Sequence, residues 1–233
     1  MKTVNATPRT ASAQATTPKQ EPSTGTSRTK PVRIADDFSD PAIDPLIWGT
    51  WSEGTGANAA QQNGQLVFSI AADATFESQF HSVGINVGTK CKFPGDFDAR
   101  VDYTLLNWPV GNGASASLVA YQRGPVDEIS RATTTQWNDY NAWPGRGDAV
   151  ALPDSSGSLR IARSKGIVRT YLWHHDQWKE LSAQEIYGTI WVGMTLSSSA
   201  NYWQQMNVSA GFDGFAITAQ DATCPAGSDP RNP

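Results

Sequence analysis

Nine tryptophans and six tyrosines in 233 residues give this chain many flat surfaces that are apolar in the middle and polar at one edge. Two short segments concentrate them. The stretch 136–147, QWNDYNAWPGRG, gathers Trp137, Tyr140 and Trp143 with Asn138, Asp139, Asn141 and Arg146. Sugar rings stack their C–H faces on such aromatics while their hydroxyls pair with amides, carboxylates and guanidinium groups. Three large aromatics in a loop-like stretch are costly to leave in water, so either they pack down as a lid or they form a binding platform. A second cluster, Asn201-Tyr202-Trp203-Gln204, puts Tyr202 and Trp203 forward for the same contact patch. The other tryptophans, Trp48, Trp51, Trp108, Trp173, Trp178 and Trp191, lie in strand-like contexts and read as core or edge packing.

Carboxylates supply the second kind of chemistry. Asp96, Asp98 and Asp102 share a parity, and neighbours two residues apart on a strand sit close to 7 Å apart, which is within the range that glycoside hydrolysis needs. Arg100 stands between Asp98 and Asp102, so a wet, ion-paired face is the first reading; if the chain is an enzyme, Asp98 and Asp102 are its acids. His174 and His175 are adjacent, so on a strand they face opposite sides and do not chelate one metal. No G-x-S-x-G elbow occurs. Cys91 and Cys224, in KCKFPG and TCPAGS, are read as one disulfide pinning the C-terminal tail to the domain.

Positioning these groups falls to strands. Residues 1–32 hold eight Thr, four Ala, four Pro and three Ser with no aromatic residue, a disordered Thr/Pro-rich tether. From Arg33, short runs alternate in and out with period two. In Asp96–Leu106, Phe97, Ala99, Val101, Tyr103 and Leu105 oppose Asp98, Arg100, Asp102 and Thr104. Similar runs are read at 66–70, 76–85, 115–122, 128–137, 158–163, 167–173, 178–182, 190–197 and 206–217. Ser164-Lys165-Gly166 reads as a tight hairpin. In the last run, Met206 to Phe212 share one parity and Phe215 and Ile217 the other, which implies a β-bulge at Asp213-Gly214. About a dozen strands point to a two-sheet antiparallel jelly-roll sandwich over residues 33–222, followed by a tail at 223–233.

Charge excludes some partners. The chain has 18 basic and 22 acidic residues, and with its first 32 residues removed it has 13 and 21. Nucleic acid is not an expected partner, because phosphate binding needs a basic excess. No apolar run is long enough to span a membrane, and the N-terminus lacks the apolar stretch of a signal peptide. The expectation is a monomer.

DDFSDPAIDPLIWGTWSEG, NGQLVF, KCKFPGDFDARVDYTLLNWP, GSLRIARSKGIVRTYLWHHDQWKEL and AGFDGFAIT together resemble concanavalin A-like (LamG-like) jelly-roll domains of secreted bacterial proteins, over about residues 34–220. That resemblance implies two curved sheets, the concave one holding carbohydrate. It also implies a structural calcium between the first and last strands, for which Asp213 with Asp37 (or Asp36) is the candidate. Glucanases of this fold use an E-x-D-x-E strand, and lyases an Arg-rich strand with a Gln/His pair and a Tyr base; neither run occurs here. The expected function is an extracellular carbohydrate- or surface-binding module without catalytic activity, its ligand a polysaccharide or cell-surface glycan. Two alternatives stand beside it: a polysaccharide-active glycoside hydrolase or lyase using concave-face carboxylates, and a structural spacer.

Overall fold

The computed structural model describes residues 31–79, 81–133, 138–143, 150–151 and 153–226. They form strands β1 (Val32–Asp36), β2 (Trp48–Glu53), β3 (Thr55–Gln62), β4 (Gln65–Thr75), β5 (Ser82–Thr89), β6 (Phe97–Asn107), β7 (Ala114–Tyr121) and β8 (Pro125–Thr133). There follow β9 (Asn138–Trp143), β10 (Val150–Ala151), β11 (Ser156–Ser164), β12 (Ile167–His174), β13 (Gln177–Glu185), β14 (Trp191–Ser199) and β15 (Val208–Ala219). One antiparallel sheet runs β13-β12-β11-β6-β15-β4-β3, with β1 also paired to β15; the other runs β10-β9-β8-β7-β14-β5-β2. This is the expected all-β jelly-roll sandwich.

Parity builds the first sheet as expected. Phe97, Ala99, Val101 and Tyr103 of β6 are buried while Asp98, Arg100 and Asp102 are exposed, so one face enters the core and the other meets water. β15 buries Val208, Ala210 and Phe212, then Phe215, Ile217 and Ala219, and its register slips between Asp213 and Ala216. The slip is the bulge read from the parity change. Gly214 carries the positive φ of 57° that an L side chain disfavours. It also marks where the neighbour of β15 changes from β4, which pairs with 208–212, to β1, which pairs with 215–219. At the β11–β12 hairpin, Ser164 pairs with Ile167, and Lys165 and Gly166 take φ of 53° and 79°, the two positive values a two-residue turn needs.

The second sheet is less regular in sequence. β5, β7 and β14 are buried on almost every residue, so alternation is weak where both faces are covered. The run read at 76–85 is broken instead, with β4 ending at Thr75 and β5 starting at Ser82. The run read at 128–137 lies earlier, as β8, and the stretch read as a loop contains β9, paired with β8 from Thr133↔Asn138 to Glu128↔Trp143. Its Asn and Asp residues suggest turns, yet Tyr140 and Ala142 point inward between them, which is strand alternation. Cys91 and Cys224 form the expected disulfide, spanning 133 residues. With the bridge Lys92↔Thr223 beside it, this ties the exit of β5 in one sheet to the exit of β15 in the other.

Candidate functional site

The outer face of the second sheet carries a groove of about 520 Å³. Register sets its floor in rungs. Trp51 of β2 faces Asn86 of β5, Asn86 faces Thr195 of β14, Thr195 faces Ser117 of β7, and Ser117 faces Ser130 of β8. One rung along, Gly88 faces Gly193, Gly193 faces Val119, and Val119 faces Glu128. The two glycines leave the backbone bare, and the aromatic rings settle there: a Cβ on Gly88 would come within 2.6 Å of Trp191 and 3.1 Å of Trp51. Trp191 stacks on Tyr121 at 4.0 Å between centroids, and Trp51 meets both rings edge-on, at 5.6 Å from Tyr121 and 4.8 Å from Trp191. The result is one aromatic wall beside a polar floor.

Two acids line this groove. Glu128 accepts a 2.5 Å hydrogen bond from the Ser117 hydroxyl, and Glu53 accepts one of 2.5 Å from Ser82. Burial pushes the Glu128 carboxyl above the usual carboxylate range, and the Ser117 bond only partly opposes it. The residue as a whole is half-buried, so the carboxyl is shielded by its neighbours while the side chain still borders the groove. Tyr121 donates to Asn86 Oδ1 at 2.7 Å, and burial followed by the charges of Glu128 and Glu53 holds its phenol proton firmly. The outward triplet of β8 is Glu128, Ser130 and Ala132, one acid where an E-x-D-x-E strand would present three. Glu53 lies four strands away from Glu128 across the sheet, so the two carboxyls do not form a side-by-side pair.

The residues singled out from the sequence fall elsewhere. Tyr140 is 1% exposed; its hydroxyl bonds that of Tyr103, and Arg131 lies 5.4 Å over its ring, so it bridges the two sheets from inside and meets no ligand. Trp203 is 7% exposed and joins the core, because its loop folds onto the 111–113 turn with Gln204 N–H donating to Asn112 O. Tyr202 beside it is 45% exposed. Trp143 stands opposite Glu128 in register, but its side chain, like all of Trp137 and Arg146, lies outside the described residues.

Asp98 and Asp102 are on the outer face of the first sheet, away from the groove. Four residues apart on one strand, they are separated by about 13 Å along it, too far for a catalytic pair. Asp98 is held by Arg160 at 2.5 Å, and Asp102 accepts the Ser158 hydroxyl. The opening acids are occupied as well. Asp36 accepts Phe38 N–H and Trp48 Nε1, Asp37 accepts Ser39 N–H, and Asp213 accepts Gly214 N–H. Among the described residues, no group of three or more His, Cys, Asp or Glu is placed to hold a metal ion. His175 leaves the strand at a positive φ of 50°, so its ring approaches that of His174 at 3.7 Å and does not face the opposite side.

No family model matches the sequence, and no curated protein matches it. Solved structures do match its fold. A prokaryotic β-1,3-1,4-glucanase (lichenase) from a mouse hindgut metagenome superposes with a TM-score of 0.57 at 14% identity, covering 82% of this chain and 100% of that one. The Bacillus licheniformis β-glucanase gives 0.56 at 15%, covering 82% and 98%. The chain is a concanavalin A-like jelly roll. A third such jelly roll, the GlcNAcα1-4Gal-releasing endo-β-galactosidase of Clostridium perfringens, gives 0.57 at 11%, covering 81% of this chain and 62% of that longer one. These matches correct the expectation of a sugar-binding module without catalytic activity. The three named structures are glycan-cleaving enzymes by their names, and two of them are matched over almost their whole length. The CBM2 module of the Lactobacillus casei BL23 phage J-1 evolved Dit shares the fold as well, with a TM-score of 0.58 at 10% identity, covering 82% of this chain and 97% of that one.

Sequence reasoning read Trp51 and Trp191 as packing and passed over Tyr121, Glu128, Glu53 and Asn86. One signal was available: Glu128 is an acid at an outward position of a strand whose next outward residues, Ser130 and Ala132, are small.

Proposed function

We propose that this chain acts on a polysaccharide laid along the groove of the second sheet, with the Glu128 carboxyl as the proton donor to the scissile bond. The observation that carries this reading is a shielded carboxyl with a raised pKa beside an aromatic wall. A carboxyl whose burial favours its protonated form is a better proton donor to a leaving glycosidic oxygen than an ordinary exposed glutamate. Trp51, Tyr121 and Trp191 would stack the sugar rings, and Asn86, Thr195 and Ser197, which line the groove, offer partners for their hydroxyls.

The second group that glycoside hydrolysis needs does not come from β8, whose positions 130 and 132 are Ser and Ala. Glu53, the other carboxylate bordering the groove, sits four strands from Glu128, roughly 19 Å at about 4.8 Å per strand, which is beyond the span of a catalytic carboxyl pair, so Glu128 alone is given a chemical role. The fold of the glucanases and endo-galactosidase supports a glycan substrate. A disulfide is in keeping with folding in an oxidising compartment, and hence with a polysaccharide met outside the cell.

The test is release of reducing ends from a panel of soluble β-glucans, galactans and uronans by the wild type and by Glu128→Gln. Turnover on one class, lowered about a hundredfold or more in the variant, is the expected result. Binding without turnover on every polymer, or unchanged turnover by Glu128→Gln, would overturn the reading.

A further inference from the structure

We infer that the opposite face of the molecule holds a second site, a hollow that binds an anionic polysaccharide bearing carboxylate or sulfate groups. The hollow, about 770 Å³, lies on the outer face of the first sheet. Five arginines and two aspartates line it, although the chain from residue 33 on has 13 basic and 21 acidic residues. Such a local reversal of charge is not a by-product of composition.

Register shows how the charges are disposed. Arg160 of β11 stands directly opposite Arg100 of β6, a like-charged cross-strand pair that is unfavourable unless something neutralises it. Asp98 does so for Arg160 only, accepting from its Nε and Nη2 at 2.8 and 2.5 Å. Arg163 is turned inward onto the carbonyls of Phe93, Gly95 and Gly188, and Arg169 reaches Glu180 at 3.5 Å. Among the described residues, Arg33 and Arg100 make no ion pair. They flank a floor of small side chains: Arg100 faces Ala216, Ala216 faces Ala35, and Arg33 faces Thr218. Two exposed guanidiniums over an open floor are a fork-shaped anion receptor.

Beyond Arg160 the wall is aromatic. Its guanidinium lies 5.0 Å over the Tyr171 ring and 5.6 Å over Trp178, so both rings are held at the edge of the hollow. Rings add nothing to the binding of a bare anion, and the hydroxyls of a neutral sugar accept from Arg33 and Arg100 without neutralising their charge; a sugar carrying an acidic group uses both features. The chain's own N-terminal segment is not the complementary occupant, since its first 32 residues carry five basic groups and one acidic.

Affinity electrophoresis of the full chain through gels containing polygalacturonate, dextran sulfate, neutral glucan or double-stranded DNA tests this. Retardation by polygalacturonate or dextran sulfate, weakened by 0.5 M salt (an arm of about this strength) and absent on neutral glucan, is expected. Arg33→Ala/Arg100→Ala should weaken it about tenfold or more. Trp178→Ala should weaken it several-fold, and Glu128→Gln should leave it intact, which separates this site from the groove. The exposed positions of Arg33 and Arg100 leave the fold unburdened, and an unchanged melting temperature of the double variant verifies that. No retardation on either acidic polymer, unaltered retardation of the double variant, or equally strong retardation on DNA would overturn the inference.

Discussion

At the scale of the residue, two neighbours on β8 show how alternation assigns opposite fates to similar groups. Glu128 points out to the groove; Asp127 points in, fully buried, with its Oδ1 accepting Glu128 N–H and the Ser182 hydroxyl of the other sheet. Burial raises the Asp127 pKa from 3.8 to about 7, the hydrogen bonds from Gln184 and Ser182 opposing it only in part. In the unfolded chain Asp127 loses its proton near pH 4, while the folded protein keeps it to about 7. Between those values the unfolded state holds fewer protons, so stability falls as pH rises, and the loss is complete above pH 7. Its ceiling is on the order of 4 kcal/mol. Asp127→Asn, which is neutral throughout, should therefore melt with a flatter pH profile from pH 4 to 8 and match or exceed the wild type above pH 7. A variant profile as steep as the wild type's would assign the slope to another group.

At the scale of the element, the groove depends on what β5 and β14 leave out. Gly88 and Gly193 face each other, and neither needs an unusual φ; the missing Cβ of Gly88 lets Trp191 and Trp51 lie against the backbone, and that of Gly193 lets β14 approach the Val87–Gly88 backbone of β5. Gly88→Ala places a methyl group into the Trp191 ring, so the ring must move. An overpacking cost of about 1–3 kcal/mol is expected, together with an increase in KM on the active polysaccharide larger than any change in kcat, since the stacking wall is disturbed and Glu128 is not. Kinetics and a thermal melt on the same preparation measure both. The polar strand β9 belongs to this scale too. Its Asn and Asp residues look like turn formers in isolation, and only pairing with β8 makes them a strand.

At the scale of the whole molecule, the disulfide closes a loop of 133 residues and joins the ends of both sheets. In the chain-entropy description such a loop stabilises by about 5 kcal/mol at most. Cys91→Ser/Cys224→Ser should thus lower the denaturant midpoint clearly, by up to that amount in ΔG, while leaving the groove's spectrum of active substrates unchanged. A variant as stable as the wild type would mean that the bridge between Lys92 and Thr223 already holds the tail. The sandwich presents two unlike faces, an aromatic groove with a shielded acid on one and an arginine hollow on the other. A polymer long enough to wrap the molecule could engage both.

The sequence by itself determined the sandwich, since period-two burial of Phe97 to Tyr103, the Lys165-Gly166 turn and the parity slip at Asp213-Gly214 are local patterns, and two cysteines allow only the pairing of Cys91 with Cys224. It did not determine the site. Which aromatics face outward depends on which sheet a strand joins and what lies across from it. Tyr140 and Trp203, prominent in 136–147 and 201–204, became core because Tyr103, 37 residues upstream, bonds Tyr140, and because the Asn112 carbonyl takes the Gln204 N–H and folds the 201–204 loop down. Trp51, Tyr121 and Trp191 became a wall because β2, β7 and β14, far apart in the chain, share one face over two glycines. Burial of Glu128, and with it the raised pKa that makes it chemically useful, exists only once those strands are stacked.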